Sequence, residues 1–172
     1  VTLAATCGLR AFLPLFVLAL AARFHVVGLS PAFAWLADTP TLVALGTATL
    51  LEVAGDKIPV VDHALDVAGT VLRPLAAVAV LLGVTPHLPT ALAALLALAG
   101  GAGALGLHAL KAKARIGSTA LSLGHANPVL STAEDATAVT LSLGAVWVPL
   151  VALAVVALGG VLLVVLVRRR PR

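Results

Sequence analysis

Charge is what this chain has least of. Asp, Glu, Lys and Arg make up 10% of its 172 residues, where soluble domains carry about a quarter. Hydrophobic residues reach 61% and the mean hydropathy is +1.14. These values exclude an ordinary water-soluble domain and point to lipid as the solvent. Aromatic residues are equally scarce, at 3%, which excludes an aromatic-filled core. The apolar mass is Leu, Ala and Val with interspersed Gly and Pro, a mixture suited to close packing of membrane helices through small residues. Cys7 is the single cysteine, so no internal disulfide forms and the redox compartment stays unread. His25, His63, His87, His108 and His125 show no metal-ligand spacing, and no zinc motif, Gly-rich phosphate loop or Ser-His-Asp order occurs. The N-terminus lacks the basic segment that precedes the apolar core of a signal peptide, so residues 1–24 are expected to be a retained span.

The formal charge of +4 does not point to nucleic acid, because the basic residues are dispersed. Arg168, Arg169, Arg170 and Arg172 cluster at the C-terminus and read as a topology anchor. By the positive-inside rule this end is cytoplasmic, with anionic lipid as a further contact.

A transmembrane helix needs about 20 residues, leaving room for five or six spans and no separate soluble domain. The expected class is all-α, a single polytopic bundle over 1–172 with broken or kinked helices. Span one runs from Val1 to Ala22. Ser30-Pro31 is a helix-start signal with Ser as cap, opening a short interfacial stretch, AFAWLAD. Span two runs from Pro40 to Gly55, span three from Val61 to Val84, and TPHLP makes a turn. Span four covers Leu88 to Leu110, and its GGAGALG segment permits close backbone approach, within the chain or in a homo-oligomer. KAKAR and the polar STALSLGHANPVLS follow. The final apolar run, Ala136 to Val167, would be roughly 48 Å long as a helix. It is either one tilted, kinked helix or a half-span before a full one. GLRA at 8–11 recurs as GLHA at 106–109, and DKIPVVDHALD is echoed by NPVLSTAED. The echo suggests repeat halves 1–84 and 88–172, inverted if each crosses three times.

Most of the acid lies in one segment, LEVAGDKIPVVDHALDVAGTVLRP at 51–74. A charge near the bilayer centre costs about 2.5–3.5 kcal/mol on insertion scales, so its placement is informative. Glu52 and Asp56 are four apart and share a face. At about 100° per residue, Asp62, Asp66 and Arg73 fall within roughly 40° of one another. A stripe of the other sign, His108, Lys111 and Arg115, spans about 60° by the same geometry. Stripes of opposite sign in a small bundle are placed to pair. The alternative is that Asp56, Lys57 and Asp62 sit in a water-exposed loop around Pro59, and that Lys111, Lys113 and Arg115 only anchor a cytoplasmic loop. Arg10 lies deep in span one. Pro14, four residues later, frees the carbonyl of residue 10, which suggests a broken helix lining a polar cavity. Ser131 and Glu134 fit a capping box, which would give Glu134 a structural role. Asp135 has no such duty, and Asn127 in HANP offers a side-chain carbonyl as a ligand.

GLRAFLPL, the E-x3-DKIP-x2-D segment and the K-x3-R…STA…NP-x2-S-x2-ED pattern together resemble the bacterial integral-membrane family known as domain of unknown function four-one-two-six. The resemblance spans nearly the whole chain. It implies a helical protein of the bacterial cytoplasmic membrane and a shared set of polar positions. These are Arg10 and Pro14; Glu52, Asp56, Lys57, Pro59 and Asp62; then Lys111, Arg115, Asn127, Pro128, Ser131, Glu134 and Asp135. It supplies no activity and no cofactor. The residues themselves leave three classes open. The first is a small transporter or channel for an ion or solute, in which Arg10, Lys111 and Arg115 balance the acids or attract an anion. Glu52, Asp56, Asp62 and Asp66 would there bind a cation or relay protons, with a cation favoured by the excess of acid. The second is a scaffold or assembly factor locked by its charges. The third is a Mg²⁺-dependent enzyme on a lipid phosphate, since Asp62-x3-Asp66 resembles the DxxxD of intramembrane phosphotransferases.

Overall fold

The structure, a computed structural model, describes residues 1–123 and 125–168, with backbone alone at 59, 60 and 150–168. Among the described residues it is all-helical. The elements are α1 (Thr2–Thr6), α2 (Phe12–Arg23), a 3₁₀ helix (Pro31–Ala37), α3 (Thr39–Gly55), α4 (Pro59–Val84), α5 (Thr90–Ser122) and α6 (Asn127–Arg168). The expected anchor of C-terminal arginines lies outside the described side chains.

Span one is two helices rather than one. Pro14 sits in the first turn of α2, where its missing N–H is harmless, but a continuous helix would drive its ring into the carbonyl of residue 10. The chain therefore breaks across 7–11. The short α1 turns inward and packs on α4, α5 and α6, and Thr6 Oγ1 meets Ser142 Oγ of α6 at 3.2 Å in the interior. Ser30 precedes the 3₁₀ helix as expected, yet its hydroxyl does not cap that helix. It donates instead to the Leu82 carbonyl at 3.2 Å, and its N–H donates to Gly83 O at 2.8 Å, tying this segment to the end of α4.

The antiparallel pair α4 and α5 is the main packing unit. Val61–Val84 and Thr90–Ser122 are long and apolar enough to cross a membrane; α2 is apolar but has 12 residues, and α3 has 17. Helix α5 runs twelve residues past the expected stop at Leu110. KAKAR is not a loop: Lys, Ala and Arg are good helix formers, and their neighbours bury His108, Lys111 and Arg115. The helix stops where Leu123 turns left-handed, at φ 52°. Helix α6 is one element of 42 residues with Pro149 inside it, the single-helix alternative for the last apolar run. It starts at Asn127, so Ser131 lies within it and is no cap. Among the described residues, 88–168 contribute two helices, α5 and α6.

Small side chains set the core. Ala4, Cys7, Ala19, Ala77, Ala97 and Ala104 are buried together with Leu18, Leu36, Val80 and Leu81. Gly100 and Gly101 lie against Leu81, Ala4, Val78 and the Pro74 carbonyl, whereas Gly103 and Gly106 face open space. GGAGALG therefore divides between internal packing and an outer face. Polarity is inverted relative to a soluble protein. Arg10 and Arg73 are the largest fully buried side chains, while Leu98 and Ile116 are 70% exposed.

The closest approach to another helix's backbone is at Gly8, where an added Cβ would lie 2.5 Å from the Ala104 carbonyl oxygen and 2.7 Å from Leu107 Cβ. Backbone cannot yield there, so Gly8→Ala is expected to destabilise by about 1–3 kcal/mol through overpacking. Gly106→Ala, with nothing within 4 Å of the new Cβ, is expected to be neutral or to stabilise by up to about 1 kcal/mol. Thermal unfolding of the two variants in the same detergent checks the contrast.

Candidate functional site

The break between α1 and α2 sets Arg10 at the centre of the molecule. Glu52, one turn from the end of α3, holds the break in place. Its Oε1 accepts the Ala11 N–H at 2.8 Å and its Oε2 accepts the Phe12 N–H at 3.1 Å. These are orphan donors at the start of α2, where no side chain of the helix itself provides a cap. A carboxylate at this end also complements the helix dipole. The Glu52 carbonyl accepts from Arg10 Nη1 at 3.2 Å.

From Arg10 a continuous ion-pair network spreads to every long element. Arg10 Nη1 lies 2.5 Å from Asp56 Oδ2 and Nη2 lies 2.5 Å from Asp135 Oδ1; Nη2 also donates to Ser131 Oγ at 3.3 Å. The Asp56 oxygen is shared with Arg115 Nη2 at 2.9 Å and Lys111 Nζ at 3.4 Å. Arg115 goes on to Asp62 and, at 3.0 Å, to Glu134 Oε2. Lys111 reaches the same Glu134 oxygen at 3.2 Å. Asp66 closes the network through Arg73 at 3.5 Å, Arg115 at 3.9 Å and Lys111 at 4.0 Å. Six of the seven carboxylates in the sequence, all but Asp38, are gathered with Arg10, Lys57, Arg73, Lys111 and Arg115. Asp56 lies between α3 and α4. Burial pushes its carboxyl pKa up, but the charges of Lys111, Arg10 and Arg115 outweigh this and hold it below the ordinary carboxylate range.

A second branch runs through His108. Arg73 can only donate, so its contact with His108 Nδ1 makes that nitrogen an acceptor and puts the ring proton on Nε2. Nε2 then donates to the Asp66 carbonyl at 3.1 Å and lies 3.3 Å from Thr70 Oγ1. Arg73 Nη1 also points at the Gly8 carbonyl, at 3.5 Å.

The sequence-derived residues divide cleanly. Arg10, Glu52, Asp56, Asp62, Asp66, Arg73, Lys111, Arg115, Glu134 and Asp135 converge. Of the three charges that could have sat in a water-exposed loop, Asp56 is buried in the turn between α3 and α4 and Asp62 pairs with Arg115 in the first turn of α4, and Lys111 and Arg115 do not face outward as loop anchors. Lys57 is peripheral: its side chain is 48% exposed and 3.6 Å from Asp135. Asn127 lies apart, donating to Thr119 Oγ1 at 2.9 Å. Glu134 has no capping duty, since it pairs with two cations. One participant escaped the sequence reading: Thr70 carries no local signal. Ser131 belongs to the polar positions that the family resemblance implies, but local pattern gave it the role of a cap. His108 was marked by its spacing with Lys111 and Arg115, though not as a partner of Arg73.

A half-open cavity of about 950 Å³ lies over this network, between α4, α5 and the start of α6. Asp56, Asp62, Asp66 and Arg115 line it together with Val67, Ile116, His63, His125 and Asn127. Among the described residues no three His, Cys, Asp or Glu side chains come together as a metal would require. The DxxxD acids are instead countered by one guanidinium, Arg115.

Over residues 1–169 the sequence matches the family described as Domain of unknown function (DUF4126). The chain belongs to that family. Neither a curated protein nor a solved structure matches it. In this DUF4126 chain the motif positions fall where the network is densest. GLRAFLPL supplies Arg10 and the break, DKIP-x2-D supplies Asp56 and Asp62, K-x3-R supplies Lys111 and Arg115, and S-x2-ED supplies Ser131, Glu134 and Asp135. The DUF4126 description names no activity.

Removing Arg10 leaves the buried Asp56 and the partly buried Asp135 without their nearest cation. Arg10→Met is therefore expected to cost about 3–5 kcal/mol, the range for stripping one partner from a buried pair. Lys57→Met is expected to cost no more than about 1 kcal/mol, because that pair is long and solvent-screened. Paired denaturation curves in one detergent measure both.

Proposed function

We propose that this protein is a small integral-membrane carrier or channel for a small cation, with the buried carboxylates facing the cavity as its binding site. The observation that carries this reading is the gathering of six carboxylates with five cations beside a half-open cavity of about 950 Å³. The exposed surface of α4 and α5 is Leu-, Val- and Ile-rich while the interior holds the charges, which suits a protein solvated by lipid. In this reading α4 and α5 cross the bilayer, the broken α1–α2 pair and α3 complete its first half, and α6, a single helix, supplies the last of five crossings. The membrane is the cytoplasmic one, with the basic C-terminus inside by the positive-inside rule.

Helices can be locked together by apolar side chains more cheaply than by desolvated ion pairs, so a network this extended argues for use rather than for scaffolding alone. Acid exceeds base by one group, which favours a cation over an anion. Asp66 is the carboxylate best placed to exchange ligands. Its side chain is 22% exposed and its nearest cation is 3.5 Å away, whereas the Asp56 side chain is fully buried with three cations on one oxygen. Glu52, engaged with the backbone of α2, positions the site without facing the cavity. The Mg²⁺-enzyme reading is less well supported, because Arg115 already neutralises the paired acids.

Reconstituted in liposomes, the protein is expected to pass K⁺ or protons above the leak of empty vesicles. Asp66→Asn and Asp62→Asn should each lower that flux by tenfold or more, and Asp38→Asn should leave it unchanged. Flux equal to the parent in both network variants, or none above empty vesicles in the parent, rejects the transport reading.

A further inference from the structure

We infer that the cavity over the carboxylate network takes an organic ammonium ion with an apolar body, an inference that deepens the transport reading by naming the ligand class. Size comes first. About 950 Å³ lies in the range of small-molecule sites, about 300–1,000 Å³, and far exceeds what a single alkali ion fills. The walls come second. Val67 of α4 and Ile116 of α5 line it together with the acids, a mixture that suits a ligand charged at one end and greasy at the other. A bare hydrated ion would find no partners in those two side chains.

The charged end of the ligand follows from what the network leaves over. Arg115, which lines the cavity, already spends both terminal nitrogens on Asp56, Glu134 and Asp62, leaving only its buried Nε without a partner. Carboxylate oxygen is left over as well. Asp56 lines the cavity with its side chain buried, and its Oδ1 has no hydrogen-bond partner. Asp66, also on the cavity, has no cation closer than 3.5 Å. An ammonium head carries three donors, and Asp62, Asp66 and the Thr70 hydroxyl line the same side of the cavity to receive them.

The test is calorimetric titration of the purified full chain in detergent with n-butylammonium, subtracting empty micelles. Saturable binding is expected, with none for sodium butyrate. Asp66→Asn should weaken it tenfold or more, and Asp38→Asn should not. Val67→Trp, which fills the apolar wall without touching an acid, should weaken it as well, and it decides the matter if Asp66→Asn does not fold. No saturable heat, equal binding of butyrate, or unchanged binding in the foldable network and wall variants overturns the inference. The two readings fail separately. Butylammonium binding without vesicle flux removes transport and keeps the ligand class. Flux of K⁺ or protons by a chain that ignores butylammonium removes the ligand class and keeps transport.

Discussion

One oxygen holds the interior together. Asp56 Oδ2 accepts Arg10, Arg115 and Lys111 at 2.5, 2.9 and 3.4 Å, and those cations pass on to Asp135, Glu134, Asp62 and Asp66 on α4 and α6. A carboxylate with three cations on one side is strongly favoured in its charged form, and each cation in turn needs further acid to balance it. The requirement spreads outward until α3, α4, α5, α6 and the α1–α2 break are all committed. Arg10 must then be buried, the first helix must be broken to bring it there, and Glu52 must cap the break.

The charge spacing made much of this legible. The i, i+4 relation of Asp62 and Asp66 and the i, i+3, i+7 relation of His108, Lys111 and Arg115 identify faces, and oppositely charged faces in an apolar chain need each other. Pro14 announces the break at Arg10. The failures share a cause: a polar residue whose partner is remote in sequence resembles a loop or a cap when read locally. KAKAR reads as a loop because the acids that bury its neighbours lie on other helices. Ser131 and Glu134 copy a capping box, yet the partner of Ser131 is Arg10, 121 positions away. The continuity of α6 through Pro149 was likewise beyond local pattern, which allowed both alternatives.

The sequence echo also acquires a spatial meaning. Gly8 of GLRA lies against Ala104 and Leu107, at the GLHA segment of α5. Arg10 reaches across to Ser131 and Asp135 on α6, while His108 reaches across to Asp66 and Thr70 on α4. Each GLxA side chain therefore serves the proline-initiated helix of the other part of the chain.

The double acceptance by Glu52 has a practical corollary for mutagenesis. Both of its oxygens are spent on amide protons, so this acid is chemically out of circulation even though it sits among residues that are not. A survey that replaces acids one by one will find it indispensable and will be tempted to rank it beside Asp66. Its loss would act upstream, by letting the amino-terminal peg of the molecule come unseated, and the silence that followed would be architectural rather than chemical.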